Sequence, residues 1–318
     1  MQTQNSPADT TAGDLVFQFA AASPQEPESD LICFAAQTSG LFCSRDGGRT
    51  WNSAYASLNA RDALLTTSVV LAPDFEHDPT VFAGLNGAVL CSYDGGTKWK
   101  RGRLPTPPPA ISALAISPDY AEDGTIFAGT NEDGVLVSQD RGTNWVAWNF
   151  GLLDLNVLCL GISPDFAADE TLFAGAESGL FRSTNGGRAW KEVSLPIGFD
   201  AVLSLALSPN FARDGTLFAG TENKGILLSR DGGKSWQLLA DSLSAEPVNQ
   251  ILLSPAAPTR ELFILHGGAV LVSKDGGKTW KLWNAKRLRD CTITAVLPLN
   301  NPEGRILIGI EGGRILCV

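Results

Sequence analysis

One eight-residue pattern, Ser-x-Asp/Asn-x-Gly-x-x-Trp, occurs six times in this 318-residue chain. The copies run from Ser44 to Trp51, Ser92 to Trp99, Ser138 to Trp145, Ser183 to Trp190, Ser229 to Trp236 and Ser273 to Trp280, with the serines 48, 46, 45, 46 and 44 residues apart. A fixed period of this length marks a stack of equivalent supersecondary units, each unable to bury its faces alone. Within each period the same order recurs. An apolar stretch ends in Ser-Pro, as at Ser117-Pro118, and a polar connector (119–124) leads to a second apolar stretch, 125–129. A short loop precedes a third stretch, 135–137, and the Trp that closes the octapeptide opens a fourth. Four short strands in about 45 residues, with turn chemistry between them, form one blade of a β-propeller. The 33 glycines and 18 prolines suit such a turn-rich chain.

Seven first strands are predicted, at 15–22, 64–71, 111–117, 157–163, 202–208, 248–254 and 292–297. The expected fold is therefore all-β, a seven-bladed propeller of four-stranded antiparallel sheets spanning 15–318 as one domain. The seventh unit continues through 305–310 and 314–317, and Val318 stands where the octapeptide serine is due. That blade then has three strands of its own, and its edge is either left open or closed by residues 1–14 acting as a strand rather than a tail.

The octapeptide reads as a turn lock. A Ser and an Asp two residues apart can bond backbone groups across a tight hairpin, the Gly at the fifth position permits a positive φ, and the Trp covers the gap between sheets. A role repeated at six equivalent positions is structural, not one active site. Ser44, Asp46, Trp51, Asp94, Trp99, Asp140, Trp145, Asn185, Trp190, Asp231, Trp236, Asp275 and Trp280 are assigned to it. Asn185 can accept the same bonds as the aspartates, and Arg141 replaces the first Gly of the third copy.

This string matches the Asp-box, and the whole chain resembles the BNR/Asp-box repeat β-propeller family, which includes sialidases, certain endoglucanases, sortilin-type receptors and photosystem II assembly-factor-like propellers. The Asp-Gly-Gly-x-x-Trp turns and Leu-Phe-Ala-Gly second strands are most similar to the non-catalytic photosystem II stability/assembly factor-like and sortilin-type members. That resemblance implies a protein-binding scaffold with an arginine-rich patch; here the basic groups are fewer and the acids more prominent. A sialidase would need the family's early Arg-Ile-Pro motif, which is absent, and a tyrosine on the pocket side, whereas Tyr93 lies in a box and Tyr120 in a connector. A two-carboxylate glycosidase needs less, so a carbohydrate-active propeller, hydrolytic or glycan-binding, is the alternative reading. Its endoglucanase relatives resemble two fused propellers, and this chain has the length of one.

In a propeller the loops from second to third strand, and from fourth strand to the next first strand, share one face; the boxes and Ser-Pro connectors occupy the other. The first face carries Glu132, Glu177 and Glu222 at matching positions, with Glu311 in the seventh unit. Arg101 and Arg103 fall between units two and three, Lys286, Arg287 and Arg289 between six and seven, and Trp148 and Phe150 in a loop where no box requires them. Stiff aromatics near arginines are the usual composition of interaction hot spots, so these residues form the candidate binding surface for a protein partner.

Other chemistry is thinly supported. Gly233-Lys234-Ser235 and Gly277-Lys278-Thr279 mimic the end of a phosphate loop, but the required earlier glycines are Leu228 and Val272. The run Asn131–Gly134 lacks the spacing and closing Glu of a calcium loop, and paired acids such as Asp119 and Asp123 read as turn residues. No cofactor or metal is implied. A net charge of −10 argues against nucleic acid and anionic membranes, and no apolar run reaches the roughly 18–20 residues of a membrane span. The six cysteines show no C-x-x-C spacing. They read as small buried hydrophobes in a reduced, cytoplasmic protein; an extracytoplasmic location would follow if a leader preceded Met1.

Overall fold

The computed structural model describes residues 13–22, 31–239, 243, 246–253, 261–283, 288, 291–299 and 305–318, which form seven antiparallel sheets. The inner strands are Val16–Ala21, Thr66–Leu71, Ile111–Ile116, Val157–Ile162, Val202–Leu207, Val248–Leu253 and Ile293–Pro298, each within two residues of its expected start. Six sheets have four strands in up-and-down order, and the seventh has three among the described residues, ending with Arg314–Cys317. The expected closing strand lies outside the described residues. At the edge of that segment, Gly312 N donates to Asp14 O at 2.9 Å, which sets Asp14 against the hairpin of blade seven. Three connectors, expected as turns, each hold one helical turn: Tyr120–Asp123, Phe166–Asp169 and Phe211–Asp214. A serine hydroxyl closes each by donating to the final Asp, as Ser117 does to Asp123 at 2.6 Å.

The core is not central. It is divided into seven apolar clusters, one in each seam between neighbouring blades, including a seam that joins Ala295 and Leu307 of blade seven to Val16 and Cys33 of blade one. This explains the Leu-Phe-Ala-Gly second strands. The Phe of one blade slides beneath the box of the next: a Cβ on Gly142 (φ +81°) would lie 2.3 Å from Phe82 Cε1. The same Phe meets the next connector's aromatic edge-on, Phe82 with Tyr120 at 5.8 Å and Phe173 with Phe211 at 6.0 Å between ring centroids. The strand's Gly then admits the next inner strand, since a Cβ on Gly129 would lie 2.7 Å from Val157 Cγ1. Burying one such aromatic contributes on the order of 2 kcal/mol.

A second device ties the inner strands together. Every inner strand carries a β-bulge at its second residue, so Phe17, Thr67, Ser112, Leu158, Leu203, Asn249 and Thr294 fall out of the ladder and line the central channel. Side chains at or next to these bulges bond the backbone of the following blade. Gln18 Oε1 accepts from Val69 N (2.9 Å), Thr67 Oγ1 donates to Ile111 O (2.6 Å), and Ser112 Oγ donates to Val157 O (2.5 Å). Cys159 Sγ contacts Val202 O (3.4 Å), Ser204 Oγ donates to Val248 O (2.8 Å), and Gln250 Oε1 accepts from Val296 N (3.0 Å). The belt crosses six seams. At the seventh, from blade seven to blade one, Thr294 Oγ1 is shut from solvent without a partner.

Candidate functional site

The box face is consumed by its own turns. In blade one, Ser44 Oγ donates to Asp46 Oδ1 (2.8 Å) and accepts from Gly48 N (2.8 Å), while Asp46 Oδ1 also accepts from the backbone of Arg49 (3.0 Å) and Thr50 (2.8 Å). The same lock recurs at Ser92–Asp94, Ser138–Asp140, Ser229–Asp231 and Ser273–Asp275, and Ser183 donates to Asn185 Oδ1 at 2.9 Å. Side-chain and backbone bonds from Ser235 hold the Asp231 carboxyl down at about 2, and backbone and hydroxyl bonds from Thr279 hold Asp275 at about 2. At Asp46, Asp94 and Asp140 desolvation pulls upward, but the same donors outweigh it and the carboxyls stay below the usual range. These are charged turn residues whose Oδ1 atoms are spent on the turn itself. Two box tryptophans bridge to the preceding blade, Trp99 Nε1 donating to Ala54 O and Trp190 Nε1 to Trp148 O, both at 2.8 Å, whereas Trp51, Trp145 and Trp236 donate to the glycine carbonyl of their own box.

The opposite, hairpin face carries Glu132, Glu177, Glu222 and Glu311, all exposed on the turns after the second strands. Arg101 joins them, its guanidinium donating to Gly87 O at 2.6 Å on the hairpin of blade two. Three residues expected on this face sit elsewhere. Arg103 N donates to Thr143 O and Trp145 N donates to Arg103 O, so Arg103 borders the box turn of blade three. Trp148 is half-buried in the seam to blade four, with the Arg188 guanidinium 5.5 Å above its ring. Phe150 is 80% exposed, but its carbonyl accepts from Trp190 N, which puts it on the outer rim. The cause is blade geometry: the outer strand of one blade runs against the box of the next. Arg287 and Arg289, with Lys286, lie outside the described residues.

Between the faces runs a channel of about 800 Å³. Its described wall is mostly hydroxyl, carboxamide and aliphatic, with the Phe17 ring and the Cys159 thiol, Glu246 as its one carboxylate and no cation. No tyrosine reaches it. Tyr55 and Tyr120 are buried and Tyr93 bonds Arg141 O at 2.8 Å on the box face. Among the described residues no group of three His, Cys, Asp or Glu side chains could hold a metal ion. No helix among them is long and apolar enough to cross a membrane.

Seven sheets around one channel, six of them with this lock at their turns, make the fold a β-propeller similar to those of the BNR-repeat type. More particularly, the family model for Photosynthesis system II assembly factor YCF48 matches residues 146–286, from the outer strand of blade three past that of blade six. Among solved structures, YCF48 bound to D1 peptide is 19% identical, with 99% of this chain and 93% of that one covered at a TM-score of 0.69. YCF48 from Cyanidioschyzon merolae is 15% identical, at 96% and 95% coverage and a TM-score of 0.68. The GH74 xyloglucanase from Xanthomonas campestris is 16% identical, with 96% of this chain and 52% of that one covered at a TM-score of 0.73. The chain spans 38% of the extracellular domain of a one-component system from B. thetaiotaomicron, which is 13% identical with a TM-score of 0.72. At these identities the likeness is one of fold. No curated protein sequence matches the chain.

Proposed function

We propose that this propeller is a non-catalytic scaffold for protein–protein interaction or complex assembly, engaging its partner through the hairpin face. One observation carries the reading: the box carboxylates are engaged in holding their own turns, whereas Glu132, Glu177, Glu222 and Glu311 are exposed on the hairpins. Arg101 belongs to the same surface, whereas Phe150 stands on the outer rim beside a box and Arg103 and Trp148 pack between blades. The similar YCF48 fold with a bound peptide supports a polypeptide ligand. A carbohydrate-active reading draws on the xyloglucanase likeness. A hydrolase would set two carboxylates roughly 5–10 Å apart across a pocket, and the described channel wall offers Glu246 alone. Six cysteines without a disulfide support a cytoplasmic location.

Photo-cross-linking tests the proposal. A benzophenone amino acid placed at Glu177 or Glu311 captures a protein from cell extract, and one placed at Lys98 or Thr279 on the box face does not. Capture only from the box face, or release of reducing ends from oligosaccharides by the purified protein, overturns it.

A further inference from the structure

Three large apolar side chains stand in solvent on a fold that packs most of its aromatics into seams: Phe199 is 82% exposed, Phe150 80% and Leu153 77%. All lie on two successive inter-blade loops, 148–156 and 194–201. These loops are pinned. Asp154 Oδ1 accepts from Asn156 N (2.9 Å) and Oδ2 from Ser178 N (2.7 Å). Asn156 Oδ1 accepts from Glu132 N at 3.1 Å, Glu177 N donates to Asn156 O at 3.3 Å, and Gly134 N donates to Leu155 O at 2.9 Å. Leu153 is thereby held between the hairpins of blades three and four. In the next loop, Asp200 accepts from Asn223 N (2.9 Å) and Nδ2 (3.0 Å), and Glu222 N donates to Ala201 O (3.0 Å), which fixes Phe199 beside the hairpin of blade five.

The order along this arc is Glu132, Leu153, Glu177, Phe199, Glu222. The pinning aspartates are spent within the loops, Asp154 on backbone and Asp200 on the backbone and side chain of Asn223, and Asp200 is 9% exposed. The three glutamates point to solvent and enter none of the ion pairs among the described residues. Lys224 is the one cation on these three hairpins. Rigid loops that hold apolar groups outward, framed by uncompensated negative charge, are complementary to one kind of surface. We propose that the arc from Glu132 to Glu222 docks a basic, amphipathic polypeptide segment of a partner protein, its cationic side chains meeting the glutamates and its apolar ones covering Leu153 and Phe199. This rests on the scaffold reading and names the chemistry of its partner. An anionic lipid surface or nucleic acid meets repulsion here.

The probe is a short fluorescein-labelled peptide alternating lysine and leucine, followed by anisotropy, with a glutamate–leucine peptide as control. The lysine peptide binds the full chain, and added salt weakens it. The Leu153→Ser/Phe199→Ser double variant and the Glu132→Gln/Glu177→Gln/Glu222→Gln triple variant each weaken it about tenfold, roughly 1.4 kcal/mol. Glu122→Gln on the box face leaves it unchanged. All these positions are exposed, so melting curves confirm that the variants fold. The proposal falls if the glutamate peptide binds as tightly, if the arc variants bind as wild type, or if Glu122→Gln costs as much. It also falls if the wild-type protein self-associates in sedimentation and the double variant does not, since a second copy then covers the patch. A partner cross-linked to the hairpin face through an acidic or uncharged segment ends this proposal and leaves the scaffold reading intact; capture only at the box face ends both.

Discussion

An aspartate that accepts a hydroxyl and two backbone N–H groups resists protonation, and the boxes place five such carboxylates around one face. Their folded pKa values lie below the ordinary 3.8, with Asp231 and Asp275 at about 2. A carboxyl depressed by folding contributes stability that is fully present above its unfolded pKa and is lost as pH falls through the folded one. The melting temperature should therefore hold steady down to about pH 4 and drop between about pH 4 and 2. Asn185 makes the serine bond without a titratable group, so Asp231→Asn should keep the turn, lower the melting temperature at pH 7, where the carboxylate's contribution is lost, and flatten the acid limb. Thermal melts across this range check it, and an unaltered acid limb in the variant overturns the assignment. This role was readable from spacing alone, because Ser, Asp and Gly at fixed offsets admit one turn geometry. The placement of Arg103 and Trp148 was not readable, because both follow a two-residue outer strand whose course is set by the box of the next blade.

At the scale of strands, the sequence announces what repeats and hides what varies. The Phe and Gly of the second strand recur because the seams they fill are alike, as Phe82 beneath Gly142 and Gly129 beneath Val157 show. Blade six departs from this, with Leu265 where the other seams seat Gly or Ala, and Leu265 also lines the channel. The belt of inner strands leaves a fainter trace, since Gln18, Thr67, Ser112, Cys159, Ser204 and Gln250 span four residue types and fall at either the second or the third residue of their strands. Its bonds nonetheless carry a measurable load. Ser204→Ala leaves Val248 O without its side-chain donor and should cost about 1 kcal/mol in chemical unfolding. Thr294→Val removes a buried hydroxyl that bonds nothing and should be neutral or stabilising. Equal losses in the two variants would show that the belt contributes no more than its packing.

The whole ring was legible in its number of blades, since seven inner strands could be counted, but the closing strand expected from the N-terminal segment lies outside the described residues. The thiols report on the assembled ring. Burial pushes Cys33, Cys91 and Cys159 up to about 12, with Cys317 and Cys43 adding to the effect at Cys33. The native protein at pH 8 should thus leave these three unreacted toward a chromogenic disulfide reagent, and denaturation without reductant should release all six sulfhydryls. Fewer than six would expose a bridge and a different seam. The row of bulges around the axis has a wider consequence. Phe17, Leu158, Leu203, Asn249 and Thr294 project into the lumen from residues skipped by the strand ladder, and no side-chain bond to a neighbouring blade depends on them. Selection can therefore rewrite the lining of the axle while the wheel keeps turning out the same shape, so that drift in the lumen and constancy in the seams are expected to coexist in one lineage.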